Sequence, residues 1–278
     1  MKRSMHISLH SFITNLLRTI HTQTPVLAVA ILCLCSCTTQ PKVEKEAASK
    51  KPETTIQVAS INLAKLNKRI GRNDIIELVK ILKSEQIEIL AVQGITRYPG
   101  IATRVDFVNE LSAKTDWRNV FGEMLNISGR QTGNAIFSVY PILSHENVSW
   151  DSVEPTSFDA ALNATIDAGA RPLMIVSTQL PLRATAKEQT ECSKMIAAMN
   201  PDTADRLTIV AGNMPINQII RTSSSFAEVP PPESAKSTMS RIWFSATSSL
   251  QLLASRTMET ELGTLMIAQF GLSRQQKH

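Results

Sequence analysis

Residues 133–142 read GNAIFSVYPI, and the part from 134 to 139 is a predicted strand. Working outward, strands follow at 162–166 and at 173–178, the latter reading LMIVST. A polar helix is expected at 184–199 and a strand at 207–210. After a Ser- and Pro-rich loop containing Pro230, Pro231 and Pro232, the last strands are expected at 241–246 and 265–270. Upstream, 56–63 reads as the strand IQVASINL, and a buried strand is expected at 87–92. Between them Ile75, Leu78, Val79 and Leu82 recur at helical spacing, with Asp74 and Glu77 placed to form a capping box. A second helix at 105–114 and a strand near Asn119 complete the series. Strands mixed with helices in this order imply an α/β protein.

GNAIFSVYPI resembles the centre of the endonuclease/exonuclease/phosphatase superfamily, the deoxyribonuclease-I-like phosphodiesterases, whose usual form there is close to GNAILSRYPI. Five further stretches resemble the family's motifs in order: SINLA, IEILAVQGI, IVSTQL, LTIVAGNMP and TELGTLMIAQF. The resemblance covers nearly all of residues 56–272 and implies a four-layer α/β sandwich, two mixed β-sheets face to face with helices outside.

The resemblance also implies where catalysis would sit. The family holds a divalent metal, commonly magnesium, with an asparagine ending the first strand and a glutamate ending the second. Asn62 keeps the first position, but the second motif is Val92-Gln93-Gly94, with Gly94 where the glutamate would stand. The fourth motif's histidine is replaced by Gln179. The fifth motif's Asp and second Asn are replaced by Asn213 and Pro215, and the closing Asp-His pair by Leu262 and Gly263. Trp243 stands for an aspartate before the penultimate strand, and Val139 for the third motif's basic residue. Asn62, Gly94, Gln179, Asn213, Pro215, Leu262 and Gly263 are therefore the vestigial family positions, with no catalytic and no metal-binding residue among them. General acid-base groups each contribute a factor of about 10² to 10⁴ in rate, so their joint loss removes most of the chemistry. Asp159, Asp167, Glu259 and Glu261 are read as solvated carboxylates, His145 as a loop residue, and Cys192 as a packed or surface thiol.

Ahead of the domain, Lys2, Arg3 and Arg18 precede an apolar stretch at 25–34, the order of an export signal, with no acidic residue among the first 37. It ends in Leu34-Cys35-Ser36-Cys37, similar to the bacterial lipobox, which makes Cys37 the lipid-anchor candidate. The expected organisation is a signal peptide at 1–36, a solvated tether at 37–55, the domain at 56–272 and a polar tail at 273–278. Thr38 after the cysteine points to the outer membrane of a bacterial cell envelope. The leader carries three of the 29 Lys and Arg and none of the 24 Asp and Glu, so the net charge of +5 overstates the basicity of the mature chain. Without a dense basic stripe, charge does not suggest nucleic acid as a partner.

The leader and the depleted motifs together imply a membrane-tethered lipoprotein whose domain binds or scaffolds in the envelope. The partner would be an envelope protein or a phosphate-bearing ligand, and no cofactor is expected. A divergent phosphoesterase using magnesium or manganese with rearranged carboxylates is the alternative.

Overall fold

The computed structural model describes residues 54–64, 66, 69–98, 104–149, 160–179, 186, 187, 190, 194, 207–213, 226–230 and 240–273. Among them are two helices and twelve strands in two six-stranded sheets. The first sheet has the order β11-β12-β1-β2-β4-β3. It is built from β1 (Thr54–Asn62), β2 (Ile89–Arg97), β3 (Arg118–Ile127), β4 (Arg130–Ser138), β11 (Leu250–Thr260) and β12 (Gly263–Leu272). The second has the order β5-β6-β7-β8-β10-β9. Its strands are β5 (Ile142–Ser149), β6 (Ala160–Asp167), β7 (Pro172–Gln179), β8 (Leu207–Asn213), β9 (Phe226–Glu228) and β10 (Arg241–Ser245). Each sheet has one parallel pair, β1 with β2 and β7 with β8, and is otherwise antiparallel. The expected sandwich of two mixed sheets is present.

Alternation along the strands makes two cores. One face of the first sheet gives Ile56, Val58, Ile89 and Ile136, which pack between the sheets against Leu162, Ile175 and Ile209. Its other face gives Ala59, Ile61, Leu90 and Val92, covered by α1 (Arg72–Ser84) and α2 (Phe107–Thr115). Each fully buried Leu, Ile or Phe contributes about 1.5–3 kcal/mol relative to exposure. The helix-side core is fed by Ile75, Leu78, Val79 and Leu82 of α1, the residues whose spacing announced the helix.

The α1 start differs from the sequence expectation. Gly71 is its N-cap, and Asp74 accepts from the Gly71 amide at 2.8 Å, while Glu77 pairs with Lys80. Gly71 supplies an extended N-cap, so the helix starts before the Asp74–Glu77 pair rather than at it. In α2 Asp106 is the N-cap, accepting from the amides of Val108 and Asn109, and it also pairs with Arg97 at 3.0 Å. Of the helix expected at 184–199, only Ala186, Lys187, Thr190 and Lys194 are described, each helical and exposed. Cys37, Asp159, Cys192, Pro215 and the leader lie outside the described residues. Among the described residues, no helix is long and apolar enough to cross a membrane.

At the end of the sandwich where β2 begins, Tyr140 Oη donates to Glu88 Oε1 at 2.5 Å, and Glu88 Oε2 accepts from the Gln57 amide at 2.9 Å. Burial, then the hydrogen bond to Glu88 and its negative charge, hold the Tyr140 phenol well above its usual range. A phenol whose folded pKa is raised contributes stability that is complete below the unfolded value, about pH 10, and lost as pH rises toward the folded value. The stability advantage of the wild type over Tyr140→Phe is therefore expected to be constant near neutrality and to shrink above about pH 10. Urea denaturation of both proteins across alkaline pH checks this, and an advantage that holds undiminished there would refute it.

Candidate functional site

The carboxyl ends of both parallel strand pairs meet at one mouth of the sandwich, because Gln93 near the end of the β2 core run reaches Ser177 near the end of β7. Open sheets of this kind place ligands outside the carboxyl ends of parallel strands. The gap between the sheets here is filled by a cluster of five fully buried neutral side chains: Ser60, Gln93, Asn134, Ser177 and Ser240.

Gln93 is its hub. Its Nε2 donates to Ser60 Oγ at 3.2 Å and to Ser177 Oγ at 3.1 Å, while its Oε1 accepts from Ser240 Oγ at 2.8 Å. Ser60 and Ser240 also contact each other through their hydroxyls, and Ser177 Oγ donates to the Val92 carbonyl at 3.2 Å. From β4, Asn134 Nδ2 donates across the gap to the carbonyls of Ser177 at 3.1 Å and Ala160 at 3.4 Å, and its Oδ1 accepts from the Gly94 amide at 3.3 Å. A buried polar network whose members satisfy one another rigidifies its site, but with no ionisable group it moves no proton.

Around this cluster lie several of the positions singled out in the sequence. Asn62 ends β1 with its Oδ1 accepting from the Ala64 amide at 2.9 Å, while its Nδ2 is buried with no hydrogen-bond partner among the described residues. Gly263 begins β12 beside it, and a Cβ there would stand 4.0 Å from the Asn62 carbonyl oxygen. Leu262 is buried in the β11–β12 turn, where Thr260 Oγ1 accepts from its amide. Gly94 adopts φ +69°, in a break of the β2–β4 register between Val92 and Ile95. A Cβ at Gly94 would fall 2.4 Å from Ala64 Cβ and 2.6 Å from Ala64 Cα. The backbone thus leaves no room for a side chain where the family's glutamate would stand. In the second sheet Gln179 is 4% exposed with Oε1 lacking a partner among the described residues, and it pairs in register with Asn213.

Other residues are held apart from this mouth. Val139 follows β4 at the opposite end, its amide donating to the Glu88 carbonyl at 3.0 Å. Trp243 is fully buried on β10, and alternation turns it away from Ile242, which packs between the sheets. His145 is on the exposed strand β5 rather than in a loop: the polar run SHEN pairs with β6 as a sheet edge, where both faces tolerate solvent. Asp167, Glu259 and Glu261 are exposed. Among the described residues, no three His, Cys, Asp or Glu side chains gather to hold a metal ion. Magnesium and manganese require hard oxygen donors in number, and Asn62 Oδ1, already bound to its own backbone, is the sole family ligand position that retains a side-chain oxygen. The described residues at this mouth do not fit the family's metal.

The sequence alone does not single out Ser60, Asn134, Ser177 or Ser240. The signal for three of them is a polar residue within an otherwise apolar strand, in VASIN, GNAIF and IVSTQ. Ser240, before β10, has no such signature.

This architecture is the two-sheet sandwich of the deoxyribonuclease-I-like proteins, and the chain has their fold. The endonuclease/exonuclease/phosphatase from Beutenbergia cavernae DSM 12333 superposes with a TM-score of 0.60 at 15% identity, covering 79% of this chain and 72% of that one. The endonuclease/exonuclease/phosphatase from Bacteroides vulgatus gives 0.60 at 12% identity, with 80% and 100% covered. The human nocturnin catalytic domain, solved with a bound sulfate anion, gives 0.60 at 14% identity, with 80% and 94% covered. No sequence-family profile and no curated protein matches the chain.

Proposed function

We propose that this chain is a catalytically inactive member of the endonuclease/exonuclease/phosphatase superfamily, anchored to a membrane through lipid on Cys37 and acting by binding or scaffolding at the cell envelope. The supporting observation is the neutral cluster centred on Gln93, which occupies the gap between the sheets where the family's acids, bases and metal ligands would converge. Gly94 and Gly263 add no side chain to that mouth, and the nearby Asn62 and Gln179 are amides that neither titrate nor carry charge. The domain is then a rigid body presented to a protein or a phosphate-bearing ligand, without need of a cofactor.

The test is hydrolysis of bis(4-nitrophenyl) phosphate by the purified protein with magnesium or manganese. The expected rate equals that of the metal alone and is unchanged in Asn62→Ala. Metal-dependent turnover abolished by that change would overturn the proposal in favour of a divergent phosphoesterase. Anchoring is checked separately: labelled palmitate is expected in the wild type and absent from Cys37→Ser.

A further inference from the structure

The end of the first sheet opposite the mouth carries a groove of about 460 Å³ on its helix side. Strand register builds its floor. On β1, Ile56 and Val58 pack between the sheets, so Gln57 projects to the helix side, and Gln269 of β12 stands opposite it in the β1–β12 pairing. Next across the sheet is Glu88, whose amide donates to the Gln57 carbonyl at 3.0 Å, and then Val139, whose amide donates to the Glu88 carbonyl. Trp117, ahead of β3 and partly buried against the helix-side core, closes the row beside Val139. Neighbouring strands stand about 4.8 Å apart, so a row from β12 to β3 is roughly 19 Å long.

The wall is the end of α1. The Ile87 amide donates to the Leu82 carbonyl at 2.9 Å and the Gln86 amide to the Lys83 carbonyl at 3.2 Å, a helix ending that places Gln86 in the left-handed region at φ +54°. Glycine suits that position, whereas a long side chain there is strained, and strain retained beside a concavity points to a residue kept for what it touches. Gln86 is exposed and borders the groove. In the floor, Gln57 Oε1 is buried with no hydrogen-bond partner among the described residues, and the Glu88 carboxylate is fixed by Tyr140 and the Gln57 amide. Lys83 and Glu88 are the charged residues of the lining, and their charges cancel.

We infer that this groove binds a short neutral oligosaccharide, with Trp117 against the apolar face of one sugar ring and the amides of Gln57, Gln86 and Gln269 exchanging hydrogen bonds with hydroxyls along the row. A pyranose joins a face of C–H groups to a rim of hydroxyls that both donate and accept. An indole matches the first and side-chain amides, which also donate and accept, match the second. A hydroxyl donated to Gln57 Oε1 satisfies the acceptor that the protein leaves unpaired. Cancelling charges give the groove no field with which to concentrate an anion or a cation. Its volume falls within the roughly 300–1,000 Å³ of ordinary ligand sites, and its length suits several linked rings rather than one. The groove is at the other end of the sheet from the Gln93 cluster, so the inference stands whether or not the mouth is catalytic and whether or not Cys37 carries lipid.

Calorimetric titration of the full chain with cellotriose, maltotriose and triacetylchitotriose tests it, with glucose and inorganic phosphate as comparisons. At least one trisaccharide is expected to bind with a dissociation constant on the order of 1 mM or tighter, insensitive to salt, with glucose at least about tenfold weaker and phosphate not competing. Trp117→Ala is expected to abolish binding. Gln86→Gly is expected to weaken it about fivefold while leaving the urea midpoint unchanged or raised, because glycine is at ease at this backbone conformation. That variant keeps the test valid if Trp117→Ala unfolds the protein. Failure of all three trisaccharides to bind, displacement of the sugar by phosphate, or binding undiminished in either variant that folds overturns the inference.

Discussion

Gln93→Ala is expected to lower the stability of the protein by about 3–5 kcal/mol, among the largest losses from a single substitution outside the apolar core. The change removes the amide that joins Ser60, Ser177 and Ser240, and leaves their buried hydroxyls short of partners. Each buried group left unsatisfied costs about 1–3 kcal/mol, and the vacated space adds to that. Urea denaturation at neutral pH measures it through a lowered midpoint with unchanged slope. Gln93→Glu separates polarity from shape. The replacement carboxyl would be buried among neutral groups, and burial raises its pKa above the unfolded value of about 4.3. The folded state then holds the proton more tightly than the unfolded one, so stability is near wild type below about pH 4.3 and falls as pH rises through the raised folded pKa. A deficit independent of pH would mean that the position is not enclosed.

The second large effect is at Gly94. Gly94→Glu restores the residue type that the family resemblance places there, yet it is expected to destabilise the protein by about 2–6 kcal/mol and to confer no hydrolysis. A non-glycine residue at φ +69° costs about 1–3 kcal/mol, and forcing a side chain into the Ala64 backbone adds about 1–3 more. Paired denaturation and phosphodiester assays check both halves. A stable Gly94→Glu protein that hydrolyses substrate with magnesium would show that the loss at this position is reversible and that the remaining groups suffice.

The central strands were legible because buried strands must be apolar: IQVASIN, IEILAV, LMIVST and LTIVAG read as core from their apolar runs. Strands β5, β9 and β11 were not. The run ILSHENVS of β5 is exposed along most of its length, and the middle of β11, LASR, faces solvent, so neither carries the alternation that betrays a half-buried strand. At the site, motif order names Asn62 and Gly263 as corresponding family positions, and the two lie side by side. The neutral cluster beside those positions could not be read. Ser60, Asn134 and Ser177 look like tolerated polar residues in a strand until the two sheets are placed face to face, since most of their partners lie from 26 to 180 residues away. The steric closure at Gly94 is equally invisible in sequence, because it depends on the path of the chain at Ala64.

Titration of the protein with manganese, followed by the electron paramagnetic resonance signal of the free ion, probes the cleft between the sheets most directly. A cleft without charged ligands has no site of affinity near or below about 1 mM that depends on Asn62, so wild type and Asn62→Ala are expected to leave the free-ion signal alike. One equivalent of manganese bound by the wild type and lost in Asn62→Ala would contradict the inactive reading of this cleft.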